Sequence, residues 1–469
     1  MSIATPVAIE PPPTPRTSPW PVFWVASVAA FLVSLDSTML YAAFGALRTG
    51  FPQATAADMS WVLNAYTVVY AAMLIPAGGL ADTHGRKRVF LFGVTVFIAA
   101  SAACGLAGSV GWLIAARVLQ AVGAALLTPA SLSIVLAAFP QEKRALTVSL
   151  WGAVAGFAAA VGPSLGSLVV ETVGWPWAFF INLPIGALSL WRGAALLGES
   201  PRATTRRKVD AVGMALLIVA VGAIALAIVE SESPAWTRAQ LIAAAGTGVI
   251  ALVAFVIWAG RVRDPLVDLG LFRHRTYSAV NAATLAFGIA FAMMFFAFFF
   301  YMNNVWHYSQ AQAGLAIAPG PLTVIPVAIV TGRLAGRLGH RPFLVGGALL
   351  YAAAGLWFMT MPGLEPAYLT HWLPGLFLSG ASVGMVLPSL SGAAVSKLPA
   401  QHYAVGSAVN QATRQIGAVI GVAITVLLLG HGVVQRSDFD VVYGLHIGLA
   451  LLTAFLCLFV NTRPAPRPS

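Results

Sequence analysis

An all-α integral membrane fold is predicted, with two six-helix bundles and two extra helices between them. Three observations predict it. Of the 469 residues, 59% are hydrophobic and 9% are charged, whereas a soluble domain carries about 25% charged residues. Fourteen apolar segments have spanning length, since about 20 apolar helical residues cross the hydrocarbon of a bilayer. Basic residues also sort to alternate loops. With the N-terminus in the cytoplasm, 21 of the 26 Lys and Arg fall on the cytoplasmic side, and only Arg48, Arg238 and Arg436 on the other, as the positive-inside rule requires. Both termini are therefore expected inside. The net charge of +11 reads as topology plus contact with anionic lipid, not as nucleic-acid binding. The short alternating strands of a β-barrel are missing.

Residues 1–21 hold seven prolines and read as a disordered, Pro-rich cytoplasmic tail. No basic stretch followed by a short apolar core marks a cleavable signal. Six segments follow, at about 22–46, 59–80, 89–107, 112–138, 146–170 and 175–197, giving an N-terminal bundle over 22–200. A basic linker region, 201–276, carries two extra segments at 209–229 and 239–259. The C-terminal bundle, 277–461, takes the segments at 278–301, 313–334, 342–361, 372–395, 405–429 and 441–460, and 462–469 form a second cytoplasmic tail. Residues 78–88 and 332–342 match at four of eleven positions. Each copy follows the second span of a six-span block, so a six-two-six division is natural, and paired halves mark transporters. The other source of such a match is that any cytoplasmic turn collects Gly and Arg.

Asp36 is the only charge in the first apolar segment. A carboxylate near mid-membrane costs about 2.5–3.5 kcal/mol even on the lenient insertion scale, and such a group faces protein or a water-filled cavity. Burial raises a carboxylate pKa and a nearby Arg lowers it, which suits a group that takes up and releases a proton. A buried Asp bonded only for structure is the plainer reading. Arg117 enters the fourth span roughly 8 Å from its outer end, and Asp36 lies roughly 16 Å from the outer end of the first. A long Arg side chain can cover much of that gap, or it can snorkel outward to the interface. In the loop after the second span, Gly78 and Gly79 allow a close reversal. Asp82 can pair with Arg86 or cap a helix N-terminus.

Several phrases together resemble the fourteen-span drug:proton antiporters of the major facilitator superfamily, the multidrug efflux type. They are Leu35-Asp36-Ser37-Thr38, Trp61-Val62-Leu63-Asn64-Ala65-Tyr66, Arg117-Val118-Leu119-Gln120, Gly162-Pro163 and Phe180-Ile181-Asn182-Leu183-Pro184. The loop Gly79-Leu80-Ala81-Asp82 with Gly85-Arg86-Lys87-Arg88, and Pro265-Leu266-Val267-Asp268-Leu269 in the linker, belong to the same set. The resemblance covers nearly the whole chain after the tail. It implies the major facilitator fold and a proton-coupled exporter working by alternating access. It makes Asp36 and Arg117 the proton-coupling pair, and the loop motif (Gly78, Gly79, Asp82, Gly85, Arg86, Arg88) a latch between the halves. Gly162 and Pro163 would shape the interface between the halves, with Ser167 standing where the family often has a second Gly. The second loop copy has Gly336 in place of Asp82, so the latch role does not extend to it.

Remaining polar residues in spans are candidates for lining a substrate cavity: Asn64, Tyr66, Tyr70, Asn281, Asn410, Gln411 and Arg414. Arg414 either faces the central cavity or bonds to backbone carbonyls. Phe291, Phe295, Phe296, Phe299 and Tyr301 offer aromatic surface to a lipophilic ligand or to lipid. Cys104 and Cys457 lie far apart within apolar segments, and the histidines show no metal spacing. No P-loop is present and no nucleophile constellation is discernible. The expectation is a non-enzymatic, cofactor-free exporter of amphiphilic small molecules, driven by the proton gradient. It would be a multi-pass protein of the bacterial inner (plasma) membrane, monomeric, with room for a periplasmic adaptor. The rivals are a dedicated exporter of an endogenous metabolite or siderophore that confers self-resistance, and a non-transporting sensor or scaffold of the same fold.

Overall fold

The structure, a computed structural model, describes residues 18–54, 56–199, 210–231, 236–398, 403–429 and 436–462. Most of both tails and part of the basic linker lie outside them. No strand occurs among the described residues. The helices of the first half are α1 (Trp20–Gly50), α2 (Ala56–His84), α3 (Arg86–Gly105), α4 (Val110–Ala138), α5 (Arg144–Val173), α6 (Trp177–Phe180) and α7 (Asn182–Leu196). A hairpin follows, α8 (Ala211–Val229) and α9 (Arg238–Arg261). The second half contains α10 (Arg275–Asn304), α11 (Gln310–Ile317), α12 (Pro319–Leu338), α13 (Arg341–Thr360), α14 (Leu373–Val395), α15 (Tyr403–Leu429) and α16 (Asp438–Cys457). Eleven helices among the described residues are long and apolar enough to cross a membrane.

Two of the expected spans are broken. The sixth is split between α6 and α7, and the tenth between α11 and α12. Proline explains both breaks, because it has no N–H to give the carbonyl four residues back. Pro184 withholds that bond from Phe180, and Pro319 withholds it from Leu315. The backbone nevertheless stays near helical dihedrals at Ile181 and Ala318.

Each half is a bundle with its own core. In the first, α4 packs on α3, α2 and α1, while α1 also packs on α5 and α7. In the second, α10 packs on α15 and α16, and α14 on α12 and α13. Lipid gives no hydrophobic reason for helices to associate, so close backbone approach matters. Glycine supplies it: a Cβ on Gly123 of α4 would lie 2.5 Å from the Phe97 nitrogen of α3, and one on Gly417 of α15 would lie 2.7 Å from the Leu285 carbonyl of α10. Within the second bundle, the buried His446 ring sits between carbonyls of two helices, Nδ1 3.2 Å from Ala290 O and Nε2 3.1 Å from Tyr351 O. The Tyr301 hydroxyl and the Trp306 indole N–H each donate to Gly363 O at 2.9 Å, inside an aromatic cluster with Trp372 and Phe439. Tyr301 therefore belongs to the core. Phe291, Phe295 and Phe299 pack partly against that core and form a consecutive aromatic row.

The halves meet along two seams. On one side α5 packs on α12 and α14; on the other α2 and α4 pack on α15. The α8–α9 hairpin lies over the second seam, with α8 touching both α2 and α15. Asp210 ties down the base of the hairpin. Its carboxylate accepts from Trp258 Nε1 at 2.9 Å, Gly213 N at 2.8 Å and Leu266 N at 3.0 Å.

Candidate functional site

Two places on this scaffold hold the charged residues that sequence reasoning singled out. The first is deep in the N-terminal bundle. Ser37 and Thr38 spend their hydroxyls on their own helix, donating to Val33 O and Ser34 O. Asp36 instead reaches across to α4. Arg117 Nη1 donates to Asp36 Oδ2 at 2.6 Å, and Arg117 and Asp36 are 1% and 2% exposed. Arg117 thus turns inward instead of snorkelling to the interface.

Two neutral amides complete the arrangement. Gln120 Nε2 donates to Asp36 Oδ1 at 2.8 Å, and Asn182 Nδ2 donates to the same oxygen at 3.1 Å. Both amides also donate to Ser101 Oγ, which itself donates a hydrogen bond to Phe179 O at 2.8 Å. Arg117 has further partners of its own: Nη1 to Gln120 Oε1 at 2.7 Å and Nε to Val62 O at 3.3 Å. Its guanidinium carbon lies 4.1 Å from the centre of the Tyr66 ring. The cluster draws on α1, α2, α3, α4, α6 and α7. Three N–H donors thus converge on one carboxylate. A buried pair of this kind is stable only when its remaining polar atoms are also satisfied.

Gln120 and Asn182 were not among the expected site residues. A signal for each existed in the sequence. Gln120 lies three residues after Arg117, on the same helical face. Asn182 is a polar residue two positions before a proline within an apolar span.

The second place is the seam between α2 and α15. Tyr70 stacks on Tyr66 with ring centres 5.8 Å apart, and its hydroxyl donates to Thr128 Oγ1 at 3.2 Å. Across the seam, Arg414 lies close enough to Tyr70 to interact with it electrostatically. Arg414 donates from Nε and Nη2 to a single acceptor, Gln411 Oε1, at 3.1 and 2.7 Å. Asn410 and Asn281 sit nearby in the contact of α15 with α10. Asn410 Nδ2 donates to Asn281 Oδ1 at 3.3 Å and Thr284 Oγ1 at 2.8 Å. The Asn64 side chain lies outside the described residues.

The loop motif closes one end of this seam. Asp82 Oδ2 accepts from Val405 N, at the start of α15, at 3.1 Å, while Asp82 Oδ1 faces Arg86 Nη2 at 3.5 Å. Gly85 has φ +99°, a conformation open to glycine and strained for other residues, and a side chain there would strike Glu199. A side chain at Gly79 would lie 2.8 Å from Leu266, and Gly78 is buried beside it. Arg88 is exposed and pairs loosely with Glu199 at 3.8 Å. Close by, Arg144 Nη1 donates to Tyr403 OH at 2.7 Å. At the same end of the other seam, a Cβ on Gly336 would meet Glu142 O at 3.2 Å. On α5, Gly152 and Gly156 face Pro388 and Val324 of the other half, while Gly162 abuts Thr38 of α1. The Pro163 side chain lies outside the described residues.

Among the described residues no cluster of His, Cys, Asp or Glu could hold a metal ion.

Comparison with known proteins agrees with this architecture. The family model described as Major Facilitator Superfamily matches residues 26–422. The chain is 35% identical over 398 residues to the multidrug resistance protein Stp of Mycobacterium tuberculosis (strain CDC 1551 / Oshkosh), covering 84% of this chain and 73% of that one. It is 32% identical over 427 residues to the tetracenomycin C resistance and export protein of Streptomyces glaucescens, covering 90% and 78%. To the multidrug export protein EmrB of Escherichia coli (strain K12) it is 31% identical over 410 residues, covering 85% and 78%. The solved structure of the human organic anion transporter MFSD10 shares the fold, with a TM-score of 0.69 at 16% identity over 94% of this chain and 100% of that one.

Proposed function

The chain belongs to the major facilitator superfamily and is a transporter, not an enzyme, and from that premise we propose that it exports amphiphilic small molecules in exchange for protons. The observation that carries the reading is the pairing of Asp36 with Arg117 inside an apolar bundle. In the conformation described here Asp36 accepts hydrogen bonds from Arg117, Gln120 and Asn182. Taking up a proton weakens its hold on Arg117. The guanidinium then keeps Gln120 Oε1, Val62 O and the face of Tyr66 but loses its counter-charge, which favours its rearrangement. Proton binding at Asp36 is thereby coupled to movement of α4 against α1 and α2. Movement of α2 is felt at α15 through the seam contacts, and the Asp82–Val405 bond acts as the latch that holds that end closed.

The topology that fits is fourteen spans in a six-two-six arrangement. Each expected span coincides with a helix or with a proline-broken pair of helices. The end carrying Arg86, Lys143 and Arg337 would be cytoplasmic, with both termini on that side of a bacterial inner membrane. No cofactor is needed, and one chain contains the complete seam. The names of several relatives support an antibiotic or other drug as cargo. Because one of those names specifies a single antibiotic, a dedicated self-resistance exporter is the second reading.

Everted vesicles containing the wild type and Asp36→Asn, tested on a compound panel with and without an imposed pH gradient, separate these readings. Uphill, gradient-dependent accumulation by the wild type and its loss in Asp36→Asn is the expected result. Wild-type uphill transport by Asp36→Asn would remove proton coupling from this site. Transport of a single compound in the panel would favour the dedicated exporter.

A further inference from the structure

Among the described residues, three Asp, Glu, Lys or Arg side chains lie more than five residues from either end of their helix: Asp36, Arg117 and Arg414. The first two neutralise each other. Arg414 has no carboxylate within ion-pair distance among the described residues. The contrast between the two arginines is informative. Arg117 is fully buried and surrounded by a carboxylate, an amide oxygen, a backbone carbonyl and an aromatic face. Arg414 is half-buried and, among the described residues, bonds only to Gln411 Oε1. A guanidinium has five N–H donors in a rigid fork. Two are used on Gln411, which fixes the plane of the group, and the other three find no acceptor among the described residues. An intramembrane cation held in this way must face water or an incoming counter-charge.

The place matters as much as the charge. The backbone of α15 at Arg414 is seated on Gly288 of α10, and the Arg414 side chain is within electrostatic reach of Tyr70 on α2. It therefore lies in the seam between the halves, at the middle of a helix of 27 residues, which is where a substrate must sit to be offered to either side in turn. Tyr70, Tyr66 and Arg117 form a continuous stack from this point to the proton site.

We propose that Arg414 is the anchor for an acidic group on the transported compound, so that the cargo is an amphiphilic organic anion such as a hydrophobic carboxylate or an acidic phenol. Gln411 acts as the positioning residue that holds the fork toward the seam. The proposal rests on the exporter reading above for its physiological meaning, but not for its test.

Three probes with one apolar body and different charges provide that test: 1-pyrenebutyric acid, its uncharged amide, and the corresponding pyrene alkylamine. Binding of each to the purified full-length chain is followed by probe fluorescence, in wild type, Arg414→Gln and Arg414→Lys. The acid is expected to bind the wild type at least about tenfold more tightly than the amide or the amine. Arg414→Gln should reduce the acid to the level of the amide and leave the amide unchanged, and Arg414→Lys should keep part of the preference. Equal binding of acid and amide by the wild type, a preference for the amine, or an equal loss for all three probes in Arg414→Gln would each overturn the proposal. The wild-type comparison stands even if a variant fails to fold. Gradient-driven transport of the acid in everted vesicles is scored separately. Arg414-dependent binding without such transport would sink the proton-coupled reading and leave this one intact.

Discussion

The Asp82 carboxylate, at the end of a helix in one half, accepts a hydrogen bond from the backbone N–H of Val405, the third residue of a helix in the other half. This is a helix cap supplied across the seam. A carboxylate near a helix N-terminus also meets the positive end of the helix dipole.

Asp82→Ala removes that cap, which is worth about 0.5–2 kcal/mol where measured in other helices. Because the bond links the halves, the loss falls on the closed conformation more than on folding. Spin labels at His84→Cys and Lys397→Cys, both exposed positions flanking the contact, should report a broader and longer distance distribution in Asp82→Ala, with unchanged expression. An unaltered distribution would leave the latch without support.

The Asp36–Arg117 pair predicts an asymmetry. Arg117→Gln leaves a buried carboxylate that can take a proton and become neutral. Asp36→Leu leaves a guanidinium that cannot lose its charge. Breaking a buried pair costs about 3–5 kcal/mol when the remaining charge stays uncompensated. Thermal denaturation of detergent-purified protein should therefore show Asp36→Leu as the more destabilised variant. The double variant Asp36→Leu/Arg117→Gln should recover part of the loss. Equal damage from both single variants would contradict this account.

Gly162 is in contact with Thr38, and α1 packs along α5 there. A Cβ at 162 has no room, so Gly162→Ala should cost about 1–3 kcal/mol through overpacking. Thr38→Ala removes the nearest atom, Oγ1, and should restore part of the melting temperature in the double variant. If the two substitutions prove additive, the contact is not the cause.

His340 lies outside the spans, just before α13, buried against Gly392. Burial pushes its imidazole down to about 4, from an ordinary value of 6.5. Between those values the unfolded chain binds more protons than the folded one. Stability then falls as pH drops from about 6.5 toward 4, by up to about 1.4 kcal/mol per unit, and is insensitive to this group above that range. Melting curves from pH 7.5 to 4.5 should show a slope in the wild type that His340→Gln reduces. The same slope in both would assign the pH dependence to other groups.

Much of the architecture was legible in the amino-acid sequence because lipid imposes a simple rule. A segment that spans must be helical and apolar, and its basic flanks reveal its direction. The expensive charges were legible for the same reason, and Asp36 stood out at once. Their pairing was harder to see. Counting from the ends of apolar segments places Asp36 roughly 8 Å deeper than Arg117, yet their side chains meet at 2.6 Å. Such counting assumes that all helices end at one level. Here α1 runs 14 residues beyond Asp36 to Gly50, whereas Ser101, in contact with the same cluster, is only four residues from the end of α3. Gln120 and Asn182 stand in the family-like phrases without a site role, because a neutral amide is cheap enough to occur for many reasons. Only the packing of α4 and α7 against α1 shows that both point at one oxygen.

The hairpin of α8 and α9 makes the two seams unequal toward the bilayer. Over the α2–α15 seam, α8 lies as a cover, while α9 turns Ile242, Ile250 and Val253 outward. The α5–α12 seam has no such cover among the described residues, and Phe157, Leu322 and Val330 on these two helices are exposed. The two additional helices thus give one seam a covering partner and leave the other without a comparable one among the described residues.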